Sequence, residues 1–169
     1  ILRVNYYSPE DLFQIINRSA QILEVTIDEK GAKELANRSR GTPRIANRIL
    51  RRTRDYAEVK SNGKINKKIA QESLKSLGID NYGLDDMDRQ ILTALIDNFD
   101  GGPVGVSSLA VAISEDTTTV EDVYEPFLIK EGFIQRTARG RIAQEKAYKI
   151  LGKVFNSNKQ TGLFCLLYT

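Results

Sequence analysis

The sequence predicts a mainly α-helical chain of two small domains, with β structure confined to short segments and one hairpin near the end of the second. Three observations carry that prediction. Apolar residues recur at helical spacing along most of the 169 residues. Helix-start signals stand before the apolar stripes, as in Ser8-Pro9-Glu10-Asp11 and Thr42-Pro43. The charge is also split: residues 1–80 carry 16 Lys+Arg against 10 Asp+Glu, whereas residues 81–152 carry 7 against 12. Such a division reads as two domains with different partners.

In chain order, residues 1–7 read as an extended entry. Ser8 caps a first helix with Pro9 at its first position, and Leu12, Ile15, Ile16, Ser19, Ile22 and Leu23 form its inward stripe. Val25-Thr26-Ile27 is a short extended link. Asp28 caps a second helix running to about Asn37, with Ala32, Leu35 and Ala36 inward. Thr42 and Pro43 open a third, arginine-rich helix that ends near Val59, with Ile45, Ile49 and Tyr56 on one face. Ser61-Asn62-Gly63 is a turn, and Asn66 caps a fourth helix with Ile69, Ala70, Ser73, Leu74 and Leu77 inward. Four short helices make a bundle of roughly 70 residues, a size expected to rest against a neighbour.

Gly78 to Gly83 is the expected joint, acting as a hinge or a fixed corner. Beyond it, Met87, Ile91, Leu92, Leu95, Ile96 and Phe99 define a helix closed by Gly101-Gly102-Pro103. A short extended Val104-Gly105-Val106 follows, then a small helix started by Ser107 or Ser108. A further helix is capped by Thr117-Thr118-Thr119 and carries Val120, Val123, Tyr124, Phe127 and Leu128. Residues 133–136 and 141–143 flank a turn at Ala138-Arg139-Gly140, and Gln144 to Leu151 closes the domain. Helix, short strand, helix, helix, hairpin is the order of a winged helix.

Composition excludes several classes of function. The chain has one cysteine, Cys165, and no histidine, so it can form neither an internal disulfide nor a zinc site of the usual kind. Single-cysteine usage points to a reducing compartment. No apolar run approaches the roughly 20 residues of a membrane span. The chain opens on Ile1 without a leader and reads as a fragment of a longer protein. No P-loop occurs, nor a hydrophobic strand ending in paired acids for magnesium, so the chain alone is not expected to hydrolyse ATP.

Two basic features remain. Seven arginines lie between Arg38 and Arg54. Arg44 sits on the first turn of the third helix, where open N–H groups and the helix dipole favour an anion such as phosphate. The plainer reading is a solvated basic helix whose charges are met by nearby acids. In the second domain Arg136, Arg139 and Arg141 bracket one tight turn, with Gly140 supplying backbone freedom. A basic wing on an acidic body can grip a phosphate backbone, although a charged hairpin tip can also serve only to keep an edge soluble. The preceding helix carries Glu121, Asp122 and Glu125 against Lys130, which disfavours base readout in a major groove. Arg136 and Arg141 read as exposed, so replacing both with alanine is expected to leave the fold intact.

The run RSRGTPRIANRILRRTRD over residues 38–55 resembles the RuvB family, AAA+ ATPases that drive branch migration at Holliday junctions in bacteria. The resemblance extends from about Tyr7 to Gly152 through GLDDMDRQIL, GGPVG, EDVYEPFLIKEGFIQRTARGR and AYKILG. It implies a small helical AAA+ lid bundle at residues 8–79 and a winged-helix DNA-binding head with a short β-hairpin wing at 83–152. Residues 1–7 would then be a remnant of the junction to a large ATPase domain, and residues 153–169 a tail. By the same resemblance Arg44 is the sensor-2 arginine contacting nucleotide phosphates, Tyr7 contacts the base, and Arg136 and Arg141 occupy DNA-contacting positions, with Arg139 at the tip between them. The implied cofactor is ATP or ADP, with magnesium held by the large domain, and no metal site falls in this chain. The implied partners are Holliday-junction or duplex DNA, and RuvA through the large domain. The full protein would be a homohexameric ATP-dependent helicase of the bacterial cytoplasm, and this fragment an inactive monomer without membrane contact. The alternative is a stand-alone winged-helix regulator. Such a regulator needs a basic recognition helix and has no use for the GTPRIANR turn.

Overall fold

A computed structural model describes residues 6–155, and the chain divides into two compact units between Asp86 and Met87. Residues 1–5 and the tail beyond Phe155 lie outside the described residues.

The first unit packs four helices: α1 (Pro9–Ile22), α2 (Glu29–Asn37), α3 (Pro43–Ser61) and α4 (Lys67–Ser76). Local caps start three of them. Ser8 and Asp11 form a reciprocal capping box on α1, Asp28 accepts from the Gly31 N–H at 2.6 Å, and Asn66 accepts from the Ile69 N–H at 2.9 Å. Leu12, Ile16 and Ala20 from α1, Leu35 from α2, Ile49 and Leu50 from α3, and Leu74 from α4 fill the core. The α1 stripe runs through positions four apart, so it turns onto Ala20 and leaves Ile22 72% exposed, contrary to the expected inward face. In α3 the inward face centres on Ala46, Ile49, Leu50, Thr53 and Ala57, while Ile45 and Tyr56 stand at its margin. Thr53 and Ser73 bury their hydroxyls together, Ser73 Oγ donating to Thr53 Oγ1 at 3.0 Å. The extended link becomes β1 (Thr26–Ile27), paired in parallel with β2 (Lys64–Ile65). That pairing has no local signal, because the two partners are far apart in sequence.

The expected joint is fastened to the first unit. Arg38 Nη1 donates to the Asp80 carbonyl at 2.5 Å, and Arg40 Nε donates to the Gly83 carbonyl at 2.9 Å. Arg40 also pairs with Asp85 at 2.9 Å. The Asp80 carboxylate accepts from the N–H groups of Tyr82 and Leu84. The compact unit extends through Asp86.

The second unit contains α5 (Asp86–Asp97), α6 (Val106–Ala112), α7 (Thr117–Thr119), a π-helical turn (Val120–Tyr124) and α8 (Glu125–Lys130). A hairpin of β3 (Ile134–Thr137) and β4 (Gly140–Ala143) follows, then α9 (Glu145–Ile150). Leu92, Leu95, Leu109, Phe127, Leu128 and Phe133 are buried. Asp116, not the three threonines, caps α7, accepting from the Thr118 N–H at 2.9 Å. The π turn precedes Pro126, which has no N–H to offer the Asp122 carbonyl. Val104 bridges Arg141 through two backbone hydrogen bonds, adding a third short edge to the hairpin. Gly140 is required there: its φ is 134°, and a Cβ would lie 2.3 Å from the Val104 carbonyl oxygen. Where the described part of the tail begins, Lys153 pairs with Asp97, and the Phe155 ring packs edge-on against Tyr148 at 5.1 Å.

Leu50→Ala is expected to destabilise the first unit by about 2–5 kcal/mol, measurable by chemical denaturation. Arg40→Ala is expected to open residues 80–85 to early cleavage in limited proteolysis, while helices α1–α4 stay resistant.

Candidate functional site

Two basic features survive folding, one in each unit. In the first, the chain reverses between α2 and α3 with Arg40 and Gly41 both left-handed, at φ 54° and 70°. The Tyr7 N–H donates to the Gly41 carbonyl at 2.9 Å, which fastens Tyr7 to the turn leading into α3, whose first turn carries Arg44. Both side chains are exposed. Thr42 occupies the cap position, but its hydroxyl makes no capping hydrogen bond and lies 3.4 Å from the Arg40 carbonyl. Pro43 has no N–H, and among the described residues no side chain caps the N–H groups of Arg44 and Ile45. An uncapped helix start with a guanidinium on its first turn can receive a phosphate.

The seven arginines between Arg38 and Arg54 divide into two sets. Arg38, Arg40 and Arg54 are paired, with Glu34, Asp85 and Asp55 respectively. Arg44, Arg48, Arg51 and Arg52 are exposed and meet no carboxylate among the described residues. The reading of a basic helix met by nearby acids therefore holds for three of the seven, and four guanidiniums are left to offer. A cavity of about 260 Å³ opens beside the same helix, with Ile45, Ile49, Leu77 and Ile79 as its apolar lining and Arg48 and Arg52 on its wall. It includes neither Tyr7 nor Arg44 and is separate from the helix start.

In the second unit the wing arginines have different fates. Arg136 and Arg141 are directly opposed across β3 and β4. Arg141 is buried at 6% exposure: its Nε and Nη2 donate to Glu125 Oε2 at 3.1 and 2.8 Å, and Nη2 also meets Glu121 Oε1 at 2.6 Å. Burial works against its charge, but its hydrogen bonds to Glu125 and Glu121 and their negative charge outweigh that and hold its pKa above the ordinary arginine value. Glu125 is itself 3% exposed, and its Oε1 makes no hydrogen bond, with Arg136 Nη1 3.7 Å away. Arg136 is 60% exposed and touches Glu121 only at 3.4 Å. Arg139 stands exposed at the tip, with no ion pair among the described residues. The expectation that Arg141 is an exposed, dispensable position is corrected by this burial: a charge enclosed with its partner cannot be removed without leaving the partner unpaired. Sequence reasoning counted Glu121 and Glu125 only as repulsion toward DNA. Their spacing of four on one helix, facing the hairpin, was the available signal for their pairing with the wing.

Comparison with known proteins matches residues 7–80 to the RuvB AAA lid domain and residues 81–152 to the RuvB C-terminal winged helix domain. The chain is 58% identical over 162 residues to the Holliday junction branch migration complex subunit RuvB of Flavobacterium johnsoniae, covering 96% of this chain and 47% of that protein. It is 57% identical, with the same coverage, to the protein of that name from Christiangramia forsetii. A solved structure described as the Thermotoga maritima RuvB Holliday junction branch migration motor superposes with a TM-score of 0.89 at 43% identity, covering 92% of this chain and 52% of that one. The chain thus spans about half the length of the relatives it matches.

Arg141→Ala is expected to destabilise the second unit by about 3–5 kcal/mol, because Glu125 is left buried and unpaired. Arg139→Ala, at an exposed position, is expected to change stability by no more than about 0.5 kcal/mol. Thermal unfolding of the two variants checks the contrast.

Proposed function

The chain belongs to the RuvB family over its lid and winged-helix domains, and from that premise we propose that it serves an ATP-driven Holliday-junction motor by sensing nucleotide with one domain and gripping DNA with the other. In this reading residues 8–79 are the lid and residues 83–152 the head. The observation that supports it most directly is the exposed Arg44 on the first turn of an uncapped helix, meeting no carboxylate among the described residues, with the Tyr7 backbone fastened to the turn before it.

ATP bound by a large ATPase domain would supply the phosphates and the free energy of their hydrolysis. The residues here fit the outer side of such a nucleotide. Arg44 would donate to phosphate oxygens, the open first-turn N–H groups would add a favourable field, and the exposed Tyr7 ring would pack on the base. The sequence holds no P-loop, so these residues form a lid rather than a cradle, and turnover belongs to the remainder of the full-length protein.

On the DNA side, Arg136 and Arg139 offer charge outward, and Arg141 holds the hairpin that presents them. The helix before the hairpin exposes Asp122 and commits Glu121 and Glu125 to the wing, with Lys130 at its end as its single basic residue, which disfavours reading bases. Contact through the wing to phosphates suits a motor that must travel along any sequence, and it disfavours a stand-alone regulator. The implied partners are duplex or junction DNA, RuvA through the large domain, and further copies in a ring.

The purified chain is expected to show no ATP turnover; steady-state hydrolysis abolished by Arg44→Ala would overturn the lid reading. In the full-length protein Arg44→Ala is expected to lower turnover by about tenfold or more. Duplex binding is expected to be insensitive to sequence. Arg136→Ala and Arg139→Ala are each expected to reduce the slope of log affinity against log salt by about 0.9. A strong preference between two unrelated duplexes would favour the regulator.

A further inference from the structure

The four-residue cluster at the base of the wing has an asymmetry that a purely structural ion-pair network does not need. Glu125 and Arg141 are both enclosed, and Arg141 donates two hydrogen bonds to Glu125 Oε2. Glu121 is different. Its side chain is 32% exposed, and one of its carboxylate oxygens, Oε1, is shared, lying 2.6 Å from Arg141 Nη2 and 3.4 Å from Arg136 Nη2. Arg141 would keep a full partner in Glu125 without it. Arg136 has no other hydrogen-bonded acid among the described residues, since Glu125 Oε1 stands 3.7 Å away. A phosphate approaching Arg136 therefore meets a carboxylate already at the guanidinium and must displace it or share with it, against like-charge repulsion.

We propose that Glu121 is a positioning residue that restrains the wing's grip on DNA: it holds Arg136 beside α8 and competes with the phosphate for that guanidinium. The inference rests on the reading of the wing as the DNA contact. It assigns Glu125 to support and Glu121 to tuning. A binding surface that must release and re-engage phosphates gains from such a competitor, because each grip is weakened without loss of the hairpin's geometry. Asp122 is the natural control. It neighbours Glu121 on the same helical segment, is exposed, and pairs with neither arginine among the described residues.

The test is duplex binding by the intact chain, followed by fluorescence anisotropy of a labelled 20-base-pair duplex at several salt concentrations, with thermal unfolding of each variant. Glu121→Gln should raise affinity by about three- to fivefold at low salt, as expected for loss of one partly exposed acid beside a bound charge, with the unfolding midpoint little changed. Asp122→Asn, which removes the same charge, should raise affinity by clearly less. The gain from Glu121→Gln should vanish in an Arg136→Ala background, since the two residues act as a coupled pair. Equal gains from Glu121→Gln and Asp122→Asn would reduce the effect to net charge and overturn the proposal. So would an unchanged or lowered affinity of Glu121→Gln with the fold intact, or a gain that persists without Arg136. If Glu121→Gln lowers the unfolding midpoint substantially, Glu121→Asp decides: a shortened acid that restores stability while keeping the raised affinity supports restraint of Arg136, and one that restores both to wild type identifies a structural role and overturns it. Wild-type chain that binds no duplex at all would overturn the wing reading itself together with this inference, whereas normal wild-type binding without the Glu121 effect overturns the inference alone.

Discussion

The enclosed pairing of Arg141 with Glu125 is the constraint on which the second unit's functional surface depends. A charge at this depth persists only with a partner and well-placed hydrogen bonds, and here both are supplied by a helix 16 residues earlier in the chain. The pair ties β4 to α8. The backbone bridge from Val104 to the same residue, possible only because Gly140 has no Cβ, ties β4 to the segment before α6. The hairpin is thus anchored on both of its sides at one residue. Its remaining arginines, Arg136 and Arg139, inherit their outward placement from that anchor, Arg136 standing directly across the ladder from Arg141.

The same distinction between charges spent on the fold and charges left exposed organises the first unit. Arg38 and Arg40 bind backbone carbonyls and acids of residues 80–85, and so hold the end of the unit to the α2–α3 turn. Arg44, Arg48, Arg51 and Arg52 project from α3 with no acid to meet among the described residues. A net basic balance alone says nothing about which arginines belong to which set; burial and partners do. Apolar packing of α3 through Ile49, Leu50 and Ala57 fixes the rotation of the helix, and the rotation fixes which arginines face out.

Much of the architecture was legible in the residues. Ser8, Asp28 and Asn66 cap helices where their side-chain chemistry says they should. Gly140 is needed where the tight hairpin turn was read. The mainly helical lid bundle and winged helix, and membership of the RuvB family, followed from periodicity and from long matching runs. Other expectations met physics that local pattern does not carry. Thr42 sits at the cap position without capping, Ile22 falls outside the core stripe, and β1 finds its partner in β2 across two intervening helices. Arg141 was read as exposed because it flanks a turn, and it is enclosed because two glutamates stand opposite it.

What the sequence by itself determined is whatever depends on neighbours within a turn or two: helix starts and stops, the apolar faces of most helices, the hairpin and its glycine, and the concentration of arginine in two places. Only the tertiary structure decided which of those arginines are available. Ion-pair partners of the wing lie 16 and 20 residues away along the chain, and Arg40, just before α3, meets Asp85 across 45. Coulombic pairing and burial act through space over a few ångströms, so they are set by where the packed elements meet and not by the order of residues that leads there.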